Sequence, residues 1–214
     1  MAVSVWSVPA NLAEPVVEEY GYAVDVLQAS DGSEQRFLLR AHPVGAIDFY
    51  FSGSDAAECS LIEGLFYGGQ PDLWIVPLWM HGRLLTGGDL SPGATSVPCD
   101  TVSAPFQDPS GLGPVAILWK NPGTYEVVNL TGVSPTALTV SPGTVLSWPA
   151  LTTRVFPCRY ARMESLARYT RETAARISGR VRLAFENHEA VGAAGAPAPS
   201  QNYVIWGGVV IPTS

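Results

Sequence analysis

The sequence predicts a mainly β fold: a β-barrel or β-sandwich domain, or two, with one short helix at about residues 55–67 and an extended C-terminal arm. Three observations carry this. The 21 glycines and 18 prolines are spread along the whole chain, and turn signals recur throughout, among them Asp31-Gly32, Gly87-Gly88, Ser91-Pro92-Gly93, Asn121-Pro122-Gly123 and Ser141-Pro142-Gly143. Such punctuation leaves room for short strands and little room for long helices. The segments between the turns are rich in aromatic and β-branched residues, which fit a pleated, half-buried surface. Finally, Arg180-Val181-Arg182-Leu183-Ala184-Phe185-Glu186 alternates polar with apolar, which places Val181, Leu183 and Phe185 toward a core and both arginines on the other face.

In chain order, strands are expected over 20–27, 36–41, 46–51, 73–80, 115–120, 125–133, 138–140, 145–148, 153–158 and 180–186. The helix is expected where Asp55 and Glu58 form an approximate capping box. Leu61, Ile62, Leu65 and Phe66 supply an apolar stripe to cover an open side of the sheet, and Gly68-Gly69 ends it. Residues 160–177 fit two readings, because Met163, Leu166, Ala167, Ala174 and Ile177 share a helical face while their surroundings favour strands. Residues 187–200 lack periodicity and bulky groups and read as a flexible or extended connector. After it, Tyr203 to Ile211 is too apolar to hang free in water, so it is expected to dock as a strand on its own domain or on a neighbouring subunit. The organisation is therefore a β-rich domain over 1–186, undivided or split into two sub-barrels near 101–114, followed by a linker and apolar docking segment over 187–214.

A chain of 214 residues is long enough to bury about 70% of its unfolded surface without a staple. Cys59, Cys99 and Cys158 are odd in number and widely spaced, so buried reduced thiols are expected rather than disulfides or a metal knot. No apolar run approaches the roughly 20 residues of a spanning helix, and the N-terminus lacks the pattern of a secretory signal. Asn129-Leu130-Thr131 then reads as part of a strand rather than a glycosylation site.

A charged fraction of 14% against 47% hydrophobic residues is low for a fully solvated surface and points to oligomeric packing. The net charge of −7 hides an asymmetry: residues 1–153 carry 4 basic and 15 acidic side chains, and 154–214 carry 8 arginines against 4 glutamates. Nucleic-acid binding needs a basic face with stacking aromatics, and only Tyr160 and Tyr169 are interleaved here. A solvated face, or salt bridges across a subunit contact, is the expected use of the arginines.

No catalytic constellation emerges. There is no Gly-x-Ser-x-Gly, and His42, His81 and His188 stand apart from one another and from the cysteines. The chain has no His-x-x-x-His, no His-Glu-x-x-His and no calcium loop. Gly111-Leu112-Gly113 lacks the third glycine and the helix of a dinucleotide loop. Glu18-Glu19, Asp48 and Asp55 offer carboxylates, as any acidic β protein does. Catalytic, metal and cofactor residues are all expected to be absent. The expected contacts are subunit contacts: Trp74 and Trp79, five residues apart around Pro77 and so on opposite faces of a regular strand, or both in the core with Pro77 at a bulge; Arg154, Arg159 and Arg162; and Tyr203, Ile205, Trp206 and Val209 of the apolar tail.

The order of segments is also informative. Arg36-Phe37-Leu38-Leu39-Arg40-Ala41-His42-Pro43 is followed by a strand ending at Phe51, a short helix and Gly69-Gln70-Pro71-Asp72-Leu73-Trp74-Ile75-Val76-Pro77-Leu78-Trp79. Then come Leu118-Trp119-Lys120, Tyr125 to Val128, Leu138 to Val140, Trp148, Thr153 to Cys158 and the Arg180 to Phe185 strand. Over roughly residues 15–186 this series resembles tail-tip structural proteins of long-tailed bacteriophages, in the distal tail and baseplate hub class. The resemblance implies a non-enzymatic virion protein that forms a homo-oligomeric ring, hexameric or trimeric, beside the tail tube protein, the tape-measure protein and neighbouring baseplate or hub proteins. It implies assembly in the host cytoplasm, no membrane insertion, no cofactor, and contact with DNA only as the genome passes through the lumen. Rival readings are a carbohydrate- or receptor-binding module using Trp79, Trp119 or Trp206 as stacking platforms, and a small peptidoglycan hydrolase.

Overall fold

A computed structural model describes residues 3–21, 24–28, 34–38, 44–67, 73–100, 104–107, 114–164, 168–186, 203–206 and 209–212. The chain is mainly β. In order it forms β1 (Val3–Val5), β2 (Val17–Gly21), β3 (Val24–Gln28), β4 (Glu34–Leu38), β5 (Val44–Gly53), helix α1 (Ala56–Tyr67) and β6 (Leu73–Pro77). It continues through β7 (Arg83–Leu84), β8 (Ser96–Pro98), β9 (Val115–Asn121), β10 (Thr124–Val133), β11 (Ala137–Val140), β12 (Arg154–Met163), β13 (Arg168–Thr173), β14 (Arg176–Phe185), β15 (Tyr203–Trp206) and β16 (Val209–Pro212).

Strand β12 is the hinge of the architecture, because its two halves serve different neighbours. Its first half pairs with β9 on one side and β7 on the other. Its second half pairs with β6, and Ala161 opposes both Trp74 and Phe185, so β14 takes over on the side where β9 has ended. A strand shared in this way turns the corner between two packed sheets. One runs β1-β6-β12-β14-β5-β2, and the other runs from β12 through β9 and β10 to β15 and β16, with β11 and β8 on the far part of β10. Among the described residues all pairings are antiparallel except β1 with β6.

The apolar residues fall into two clusters. The larger fills the space between the sheets and includes Trp6, Phe49, Phe51, Trp74, Trp79, Ile117, Phe156, Val181 and Leu183. The second lies across the opposite face of β9 and β10, where Leu85, Leu90, Val97, Phe106, Leu138, Val140 and Trp148 cover Ala116, Leu118, Val128 and Leu130. Strand β9 feeds both: Val115 and Ile117 go to the first cluster, Ala116 and Leu118 to the second. A strand covered on both faces reads as an unbroken apolar run, which is why Val115 to Trp119 shows no alternation. Each cluster draws on residues from both sides of 101–114.

Helix α1 forms as its cap predicts. Asp55 Oδ1 accepts from the Glu58 backbone N–H at 2.8 Å, while the Glu58 carboxylate reaches back to the N–H of Ser54 at 2.8 Å. The box closes one residue earlier than its ideal form, and such a cap is worth about 1 kcal/mol. Cys59 and Ile62 are buried, with Leu65 and Phe66 packed against the larger cluster.

Several expectations change. Residues 160–164 and 168–177, for which a helical and a strand reading both stood open, are strand and hairpin: β12 and β13 both pair with β14 on the side away from β5, and Thr173 opposes Arg176 across a two-residue turn. Met163 and Ile177 pack on the larger cluster from strands. The 145–148 segment is not a ladder strand, since only Trp148 makes an isolated bridge, to Leu90. Strand β6 stops at Pro77 and a 3₁₀ turn carries Trp79–His81. That turn puts Trp79 on the same side as Trp74, and both are buried in one cluster. The expected strand over 20–27 divides into β2 and β3, and residues 39–41 of the strand expected at 36–41 lie outside the described residues.

Ribbon β3–β4 is a sheet of its own, inserted between β2 and β5, and pairs with no other strand among the described residues. Hairpin β15–β16 adds to β10, with Thr124, Tyr125, Glu126 and Val127 opposite Trp206, Ile205, Val204 and Tyr203. No helix among the described residues is long and apolar enough to cross a membrane.

Candidate functional site

Arg168, Arg176, Arg180 and Arg182 gather on the outer face of β5, β14 and β13. Register places Ser178, Arg180, Arg182 and Ala184 of β14 opposite Ser52, Tyr50, Asp48 and Ala46 of β5, while Val181 and Leu183 opposite Phe49 and Ile47 enter the core. On the other flank Arg168 opposes Arg180 and Thr170 opposes Ser178. A groove of about 640 Å³ runs over this face, lined among others by Asn11, Tyr50, Ser52, Arg168, Thr170 and Arg180.

Most of the positive charge is already matched. Arg180 binds Asp48 in bidentate fashion, Nε to Oδ1 at 2.8 Å and Nη2 to Oδ2 at 2.6 Å, and its guanidinium carbon lies 5.2 Å from the Tyr50 ring centroid. Arg182 bridges Glu19 at 2.8 Å and Glu164 at 2.6 Å. Arg162 pairs with Glu186 at 2.9 Å, Arg176 with Glu172 at 3.0 Å, and Arg171 with Glu63. These contacts raise the pKa of Arg180 and Arg182 beyond that of a free guanidinium, chiefly through their carboxylate hydrogen bonds. The Arg182 hydrogen bond, with its charge, holds Glu19 below the ordinary carboxylate value. Arg154 and Arg168 make no ion pair among the described residues, and both are exposed.

Two charged groups do their work inside the fold. Arg159 is 5% exposed; it donates to the carbonyls of Cys158 at 2.9 Å, Pro105 at 2.8 Å and Gln107 at 3.0 Å, which ties the 105–107 segment to β12. Glu126 is fully buried. Its carboxylate accepts from the N–H of Val145 at 2.6 Å, the N–H of Leu146 at 3.1 Å and the Trp148 indole at 2.8 Å. Those two backbone donors are the ones a strand over 145–148 would have spent on a ladder, and the buried carboxylate takes them because it cannot be left unsatisfied.

The expected contact residues therefore separate. Trp74, Trp79 and Arg159 are interior and form no subunit surface of the folded chain. Arg154 is exposed, and Arg162 is exposed but paired. Tyr203, Ile205 and Trp206 sit on β15 at the β10 edge, and Val209 sits on β16 opposite Trp206. Among the expected stacking platforms, Trp79 is buried edge-to-face against Trp119 and Phe156. The Trp119 indole donates to the Ser7 carbonyl at 3.1 Å.

Among the described residues the groove lining contains no histidine or cysteine. His81, expected to stand alone, has a partner: its Nε2 lies 3.1 Å from Glu18 Oε2, brought from β2. That pair tethers the sheet edge to the turn after β6. All three cysteines are free and buried; burial pushes the Cys99 thiol up to about 12 and that of Cys158 higher still. No group of three or more His, Cys, Asp or Glu side chains able to hold a metal ion occurs among the described residues.

The sequence pattern located the arginine face through the alternation at 180–186. It did not reveal Asp48, Glu19 and Glu164 as its partners, nor Glu126, which looks like any strand glutamate until the loop that covers it is in place. No protein-family model matches the chain, and no curated protein matches it.

Proposed function

We propose that this chain is a non-enzymatic structural component of the tail tip or baseplate of a long-tailed bacteriophage, assembling as a ring with copies of itself and with the tube or hub proteins beside it. The observation that carries this reading is the β3–β4 ribbon, two five-residue strands on a separate sheet. A two-stranded ribbon that pairs with no third strand among the described residues depends for its stability on packing against other protein. A chain that carries one is suited to being completed by neighbouring protein. The series of segments that resembles tail-tip proteins supports reading that neighbour as another tail-tip protein.

The arginine face refines the partner question. With five arginines matched by acids of the same chain, an acidic partner has Arg154 and Arg168 left to meet. A carbohydrate-binding role is less well supported, because Trp79 offers no open ring and the Tyr50 ring carries Arg180.

Incorporation is the test. Epitope-tagged chain, expressed in cells producing the particle, is expected to co-purify with intact tails and to be found by electron microscopy at the end distal to the head. Recovery only from the soluble fraction, with particles of normal composition, contradicts the reading.

A further inference from the structure

We infer that hairpin β15–β16 is an exchangeable element, and that its second docking place is the β10 edge of another copy of this chain. Residues Thr124 to Val127 pair with β9 on one side and β15 on the other. Without the hairpin this stretch of β10 is an open edge, the kind of surface that templates strand addition. Among the described residues the hairpin pairs with β10 and with itself only.

The covalent connection is longer than docking on the same copy requires. Phe185 opposes Ala161 on β12, and Tyr203 lies in line with Phe156 of the same strand through Val127 and Ile117. The offset between chain exit and re-entry is thus about five residues along the strands and about two strand spacings across them, roughly 20 Å. Residues 187–202 span at most about 55 Å. Reach is therefore more than twice the need, which leaves the hairpin free to seek a β10 edge other than its own.

Exchange conserves every ladder bond, because each copy offers the same edge in the same register. The choice between own and neighbouring edge then depends on local concentration, which a ring of copies raises. Pro212, opposite Tyr203 at the end of β16, has no N–H to offer and blunts the new outer edge, which favours exchange between copies over open-ended sheet growth. The inference extends the assembly reading, but it concerns two copies of this chain alone and stands whatever particle they belong to.

Cross-linking decides it. A Thr124→Cys variant and a Trp206→Cys variant are unfolded together, refolded as a mixture at rising concentration and oxidised. Refolding is carried out under reducing conditions and oxidation follows it, when the native cysteines are buried again. A disulfide-linked pair containing one copy of each is expected, increasing with concentration, while the double variant closes within one chain when dilute and between chains when concentrated. Val127→Cys with Tyr203→Cys repeats the test at a position of the opposite ladder type, in case one Cα spacing suits a disulfide poorly. Intrachain closure at every concentration with no mixed pair overturns the inference. So does the absence of any link at both positions, since the hairpin would then not be on β10.

Discussion

The two faces of this protein hold charge in opposite ways. On the face of β9 and β10 covered by the second apolar cluster, the Glu126 carboxylate sits without solvent or counter-charge, satisfied by two backbone donors and an indole. On the outer face of β5 and β14, carboxylates meet arginines whose side chains remain largely wet, Arg180 being 57% exposed. The difference teaches where each face spends its polar groups. Glu126 organises a loop that has no ladder of its own, and losing it leaves the buried Trp148 indole and two part-buried backbone donors unpaired. The arginine pairs are screened by solvent and fix the relation of strands that already pair through their backbones.

The sharpest way to break the comparison is at Glu126. Glu126→Ala is expected to destabilise the fold by about 3 kcal/mol, because three donors lose their shared acceptor at about 1–3 kcal/mol for a buried one and less where water can reach. In a chain of this size that lowers Tm by about 10 °C, measurable by calorimetry. Arg159→Met comes next. Three carbonyls lose a charged donor while the aliphatic volume is kept, at a cost of about 2–3 kcal/mol, and faster amide exchange is expected around residues 105–107.

Asp48→Asn tests the other face. A loss of about 1 kcal/mol is expected in low salt, shrinking further at 1 M salt, where the Debye length is about 3 Å. A cost equal to that of Glu126→Ala would erase the distinction between the faces.

The smallest effect is a pH dependence. Glu19 has a folded pKa depressed by Arg182, so its contribution is complete above the unfolded value and disappears as pH falls through the lowered folded value. The urea midpoints of Glu19→Gln and the unmodified chain are therefore expected to differ slightly at pH 6 and to converge once the carboxylate is protonated in both states. A difference that grows in acid would reverse the assignment.

Much of this fold is legible in the sequence, for identifiable reasons. Strands with both faces covered, such as β9, announce themselves as continuous apolar runs, and α1 announces itself through Asp55 and Glu58. What stays hidden depends on register between distant segments. Arg180 reaches Asp48 on the diagonal because β5 and β14 pair with Tyr50 opposite Arg180 and Asp48 opposite Arg182, and no local pattern encodes that alignment. The 145–148 segment misleads because Val145, Leu146 and Trp148 have strand composition, yet a glutamate on β10 captures their donors. Trp74 and Trp79 depart from regular alternation because the chain leaves the strand at Pro77. For residues 160–177, a helical face and a strand face use the same apolar residues, and pairing with β14 decides between them.

Sedimentation velocity of the purified full chain, from low micromolar to near-millimolar concentration, tests most directly whether this protein is built to be completed by its own copies. A closed oligomer of fixed copy number that persists in high salt is the predicted result. A single monomeric boundary across the whole range would contradict it.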